Sequence, residues 1–150
     1  MGNFTRINDN IFRLTVPFCE IYTTVYLIKT DDGFLLFDTA TYDSDVTGYI
    51  IPFLNEIGVD ENTLKYVFIS RSHGDHAGGL REFMKHYPKA VVLTRSPELA
   101  KDFEDYSTII PDDNEGVLGI LNCLLHSDNL LPLAVSFLLN TCCSCDFFFS

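Results

Sequence analysis

Val67-Phe68-Ile69-Ser70-Arg71-Ser72-His73-Gly74-Asp75-His76-Ala77-Gly78-Gly79-Leu80 joins an apolar run to an amphipathic one through a loop that carries two imidazoles and a carboxylate within four residues. Neutral imidazole nitrogen and carboxylate oxygen are ligands for zinc, and also for iron or manganese. His73, Asp75 and His76 are therefore candidate metal ligands, and Gly74 is expected to supply a bend that turns His73 and Asp75 toward one point. Arg71 stands apart from them. A guanidinium has no free lone pair and stays protonated, so it cannot ligate a cation.

The loop resembles the metal-binding loop of the metallo-β-lactamase superfamily, which reads His-x-His-x-Asp-His and is commonly followed by Ala-Gly-Gly. Here it reads Arg-x-His-x-Asp-His, with Arg71 in the place of the first histidine. The resemblance implies that His73 belongs to a first metal site and Asp75 with His76 to a second, where a metal-bound hydroxide attacks the substrate and Asp75 shares in catalysis. It also implies at most one metal per chain, because Arg71 leaves the first site with His73 alone. The implied fold is an incomplete αββα sandwich, the N-terminal half of that α/β architecture.

Upstream, Leu64 to Ile69 reads as a strand buried on its later half, from whose C-terminal end the loop departs. Before it, Val46, Ile50, Phe53 and Ile57 fall at spacings of four, three and four, which predicts a helix over Asp43 to Ile57. Asp43 or Ser44 is expected to cap it, Pro52 to bend or break it, and Gly58 to end it. Earlier still, Ile11 to Val16, Thr24 to Lys29 and Phe34 to Phe37 predict an antiparallel meander with a turn at Asp31-Asp32-Gly33. The segment Phe37-Asp38-Thr39-Ala40 closes the last strand and resembles the superfamily's Asp-Thr-Gly segment. Asp38 is either a carboxylate supporting the metal loop from behind or a turn aspartate of the strand-to-helix connection.

Downstream, a helix is predicted from Ala77 or Gly78 to His86, with Leu80, Phe83, Met84 and Tyr87 facing inward and His86 on the surface. Backbone N–H groups at its start would favour an anion. Ala90 to Leu93 predicts a short strand, and Ser96-Pro97-Glu98 a capped helix start. Helices covering a mixed sheet follow from this order, and sites in such sheets gather at strand C-termini.

The formal net charge of −11 and pI near 4.5 argue against a nucleic-acid partner, which requires a basic stripe. Glu98, Asp102, Glu104, Asp105, Asp112, Asp113 and Glu115, relieved only by Lys101, read as a solvated acidic face. Met1 to Arg6 has no apolar run of the kind found in secretory signals, so a cytoplasmic location is expected. Cys19 stands alone, and Cys123, Cys142, Cys143 and Cys145 crowd one end without a disulfide framework or a second Cys-x-x-Cys pair.

The resemblance places residues 1–115 in the family-like domain and leaves 116–150 as a divergent apolar tail. After Glu115 the family's glycine-histidine-threonine-proline-glycine type segment and later ligands have no counterpart, and His126 and Asp128 lack the flanking residues that would make them substitutes. Gly116 to Ser150 contains no Lys or Arg. The tail is open to three readings: a truncated or frame-shifted continuation, a segment covering the sheet, or a membrane anchor over Val117 to Leu139. The last is disfavoured by His126, Asp128 and Pro132 and by the missing basic flank.

Two functions of different class compete. One is a zinc-dependent hydrolase, with iron or manganese as other candidates, acting with impaired efficiency on a small-molecule ester, thioester, lactam or phosphoester. The other is a non-catalytic module that binds an anion or a partner, in which Arg71 fills the first metal pocket and pairs with Asp75 or Asp38. Apolar sheet left open by a half-sandwich would favour a homo-oligomer.

Overall fold

A computed structural model describes residues 4–110, which build one seven-stranded mixed sheet flanked by short helices. The strands lie in chain order: β1 (Phe4–Arg6), β2 (Ile11–Phe18), β3 (Ile21–Thr30), β4 (Gly33–Phe37), β5 (Leu64–Ile69), β6 (Val91–Thr94) and β7 (Thr108–Ile109). β1 to β4 pair antiparallel, and β4 to β7 run parallel. The switch follows from chain length. Asp31 and Asp32 suffice for a hairpin between β3 and β4, whereas each parallel pair needs a crossover carrying helix.

Alternation along the strands sends Leu14, Val16, Val25, Leu27, Leu36, Val67, Ile69 and Val92 to one face, where they form a continuous core with Val46, Ile50, Phe53, Phe83 and Met84 of the helices. The opposite face carries Ile28, Leu35, Phe37, Phe68 and Leu93, all nearly inaccessible to solvent. The Phe37 and Phe68 rings stack there with centroids 5.0 Å apart. Both faces of the central strands are thus dry, which explains why β5 reads as a continuous apolar run.

The first helical region departs from an ideal helix where Pro52 demands it. α1 (Asp43–Asp45) passes through a π-helical turn, Val46–Ile50, into α2 (Ile51–Ile57), whose first turn contains Pro52. Proline has no N–H to donate four residues back, and the wider turn before it absorbs the mismatch without breaking the rod. Gly58 then ends α2 with φ 86°, its N–H reaching the Asn55 and Leu54 carbonyls. The expected caps do not form. Asp45, buried, takes that part: its Oδ2 accepts from the N–H groups of Thr41 (3.1 Å) and Tyr42 (2.9 Å).

The second helix also differs from expectation. It divides into α3 (Gly74–Ala77) and α4 (Leu80–His86), so helical geometry begins inside the loop, before Ala77. Leu80, Phe83, Met84 and Tyr87 are buried as their spacing predicts, and His86 is exposed, 3.3 Å from Glu82. α5 (Pro97–Asp102) starts at Ser96, whose Oγ accepts the Leu99 N–H at 3.1 Å. Glu98, Asp102, Glu104 and Asp105 are exposed, as a solvated face requires. No helix among the described residues is long and apolar enough to cross a membrane. The expectations for Val117 to Leu139, His126, Asp128 and the terminal cysteines fall outside the described residues.

Candidate functional site

At the C-terminal end of β4 the chain turns out of the sheet through two non-glycine residues in left-handed geometry, Asp38 (φ 65°) and Ala40 (φ 58°). The Asp38 N–H donates to the Phe68 carbonyl of β5 at 2.8 Å, which ties the turn to the strand leading into the loop. The buried Asp38 carboxylate is filled by donors. Oδ1 accepts the Ser70 N–H at 2.8 Å; Oδ2 accepts the Ser70 hydroxyl at 2.9 Å and faces His76 Nδ1 at 2.7 Å.

An ionised carboxylate only accepts, so the contact with Asp38 assigns the proton of His76 to Nδ1. In the neutral ring Nε2 then presents its lone pair toward the side of Asp75, whose Oδ2 lies at 3.3 Å. This is the arrangement by which a carboxylate behind an imidazole fixes its tautomer and aims its other nitrogen. His76 is buried, while Asp75 is about one third exposed and faces solvent at the mouth.

The backbone holds the pair as firmly as the side chains do. Thr39 donates its N–H (2.8 Å) and Oγ1 (3.2 Å) to the His76 carbonyl, and Thr23 Oγ1 of β3 donates to the Asp75 carbonyl at 3.0 Å. Gly78 and Gly79 let α3 approach the β4 exit. A Cβ at Gly78 would lie 2.0 Å from the Thr41 carbonyl oxygen, and one at Gly79 2.3 Å from that of Thr39. Gly74 has no such task. Its φ is not positive and its Cβ would point into open space, so the turn from extended His73 into α3 does not require glycine there.

Of the residues singled out in the sequence, the fold gathers Asp38, Asp75 and His76. His73 is the N-cap of α3; its carbonyl accepts the His76 and Ala77 N–H groups at 3.0 and 2.9 Å, and its side chain is exposed. Arg71 lies between β5 and α3, half-buried and engaged with neighbouring groups. Ser70 and Thr23 escaped the sequence reading. Ser70 was signalled only by its place directly after a buried strand, and Thr23, 52 residues from Asp75, by nothing local.

Does this set fit a metal ion? Two ligands at zinc distances on a tetrahedron stand roughly 3.3 Å apart, which is the separation of Asp75 Oδ2 and His76 Nε2. Those two atoms fit one edge of a coordination sphere. No group of three or more His, Cys, Asp or Glu side chains among the described residues is arranged to complete it. A ring protonated at both nitrogens would bridge Asp38 and Asp75 at the same distances.

Comparison with known proteins agrees with the fold. The profile of the metallo-beta-lactamase superfamily matches residues 20–122. A lactamase-like protein of Pestalotiopsis microspora is 27% identical over 105 residues, covering 70% of this chain and 31% of that protein. Among solved structures, a HARLDQ-motif variant of a Cronobacter sakazakii metallo-beta-lactamase superposes with TM-score 0.55 at 22% identity, over 67% of this chain and 36% of that one. A flavo di-iron protein variant from Thermotoga maritima gives TM-score 0.59 at 16% identity, over 73% of this chain and 32% of its own. The chain therefore spans about a third of the length of these relatives.

Proposed function

The chain belongs to the metallo-beta-lactamase superfamily, and from that premise we propose that it carries the metal loop of a metal-dependent hydrolase of impaired activity. Asp75 and His76 would hold one divalent ion, with zinc the first candidate and iron or manganese the others. The observation that carries this reading is the pair of contacts on one ring: Asp38 at 2.7 Å from Nδ1 and Asp75 at 3.3 Å from Nε2. When bound, such an ion lowers the pKa of a water and polarises the carbonyl or phosphoryl oxygen of an ester, thioester, lactam or phosphoester.

The chain's own residues divide the remaining work. Asp38 fixes the His76 tautomer, Ser70 and the β5 exit fix Asp38, and Thr23 and Thr39 hold the backbone on which both donors sit. Catalytic metal sites usually take about three protein ligands, so this loop supplies part of a set. His73 is a further donor by residue type, although its side chain is exposed. In this reading Arg71, which cannot ligate, removes one donor from the first site and leaves the second to Asp75 and His76.

One observation favours a second reading: a carboxylate faces each nitrogen of the His76 ring, and no third candidate ligand joins it among the described residues. In that reading the chain is a non-catalytic anion- or partner-binding module with Arg71 in the first metal pocket.

Metal content separates the two. Parent, Arg71→His and His76→Ala chains are loaded with zinc, iron or manganese, desalted and analysed by atomic emission. Uptake by the parent that His76→Ala removes supports the hydrolase reading, whereas less than about 0.2 ion per chain in both parent and Arg71→His would exclude it. Uptake gained only in Arg71→His favours the second reading.

A further inference from the structure

The described residues line a cavity of about 170 Å³ beside the loop. Tyr26 and Phe37 line it from the sheet, their rings meeting edge to face with centroids 6.5 Å apart. Phe18 and Tyr22 of the β2–β3 hairpin line it as well, and Asp75 and His76 bound its polar end. The pairing of Thr15 with Thr24, Arg13 with Tyr26 and Tyr26 with Phe37 puts Thr24 on the same face of the sheet as both rings. Aromatic side chains and the two candidate donors thus share one small cleft, open to solvent on the hairpin side.

We propose that this cavity seats an uncharged, ring-sized apolar group of the substrate, with the reacting bond held at Asp75 and His76. Size is the first argument. A dry cavity of roughly 150 Å³ accepts a benzene molecule, so 170 Å³ takes one six-membered ring or a branched acyl group of similar bulk. Lining is the second. Four aromatic residues offer faces and edges against which a ring packs in offset or edge-to-face geometry.

Charge is the third argument. In the metal-free chain the polar end carries the Asp38 and Asp75 carboxylates, and the chain bears −11 overall, so an anionic group placed there meets like charge. An uncharged aryl or branched-acyl ester, thioester or lactam meets no such penalty. Ile21 and Tyr22 at the hairpin tip, 67% and 66% exposed, offer further apolar surface beside the opening. The assignment of the reacting end rests on the hydrolase reading above, whereas the preference for a neutral ring follows from the cavity alone.

Saturation-transfer NMR on the full chain, with benzamide, benzoate and acetamide as probes, tests the proposal with and without a chelator. With chelator present, benzamide is expected to bind, benzoate about five-fold more weakly or worse, and acetamide below detection. Thr24→Trp, which fills the cavity, should abolish the benzamide signal; Tyr26→Leu, which removes a ring and keeps an apolar side chain, should weaken it several-fold and serves if Thr24→Trp does not fold. Equal binding of benzamide and acetamide, a preference for benzoate in the presence of chelator, or benzamide binding untouched by these variants overturns the proposal. Intact benzamide discrimination without metal uptake removes the hydrolase reading alone, and metal uptake without that discrimination removes the cavity assignment alone.

Discussion

Asp38 and His76, 38 residues apart, meet at 2.7 Å with both side chains buried, and this contact joins the exit of β4 to the loop after β5. Asp38→Asn keeps an acceptor for Ser70 but no longer dictates which imidazole nitrogen carries the proton. Loss of a carboxylate behind a ligating histidine typically costs about 10- to 100-fold in metal affinity, and a zinc competition titration against a chromophoric chelator should show a decrease of that order with little change in unfolding temperature. Asp38→Ala should behave differently. It strands the Ser70 N–H and the His76 Nδ1–H, each worth about 1–3 kcal/mol when buried without a partner, and thermal unfolding should fall accordingly.

Ala40 occupies the position that carries glycine in the Asp-Thr-Gly pattern, and it does so with φ 58° and no solvent exposure. Left-handed geometry costs a non-glycine residue roughly 1–2 kcal/mol. Ala40→Gly relieves that strain, but removes a buried methyl group worth about 0.8 kcal/mol and adds unfolded-state entropy of about 0.5–1 kcal/mol. The terms nearly cancel, so a denaturant titration should place Ala40→Gly within about 1 kcal/mol of the parent. Ala40→Val has no compensating gain and should lose several times that. A large gain from glycine would show that the strain is worth more than these magnitudes allow.

Gly79 and Gly74 invert the order of importance that loop position suggests. A Cβ at Gly79 would meet the Thr39 carbonyl oxygen at 2.3 Å and Val46 Cγ2 at 2.6 Å, while one at Gly74 would meet nothing within 4 Å. Neither neighbour of Gly79 can yield cheaply: one is backbone at the β4 exit and the other is a core side chain. Gly79→Ala should therefore destabilise by at least about 2 kcal/mol, whereas Gly74→Ala should stay within about 0.5 kcal/mol. Calorimetry on the two variants decides it, and equal effects would sink the close-approach account.

These contrasts mark where the sequence could be read and where it could not. The β5 strand, the His73-to-His76 loop and the inward stripe of α4 follow from apolar spacing and residue type within a few positions. Asp38 could be connected to the loop because both leave neighbouring strand ends, a rule of sheet topology that needs no coordinates. The role of Asp45 was hidden among three adjacent polar residues, any of which could have capped the helix. The closeness of Gly79 to Thr39 depends on which backbone crosses it, and no local pattern encodes that. β1 and β7, three and two residues long, are too short to show periodicity.

Asp60 gives the fold an acid-sensitive turn away from the site. Its Oδ1 accepts the Asn62 and Thr63 N–H groups, each at 2.9 Å, and the Thr63 hydroxyl at 3.1 Å. The backbone bonds from Asn62 and Thr63, and then the Thr63 hydroxyl, hold its carboxyl below the usual value of 3.8. A carboxylate depressed in the folded state stabilises above its unfolded pKa, and that contribution disappears as pH falls from about 3.8 through the lower folded value. Asp60→Ala should lower the unfolding temperature at neutral pH, and the gap to the parent should shrink steadily below pH 3.8. A gap that stays constant down to the acid limit would show that the Asp60 carboxylate does not carry the turn.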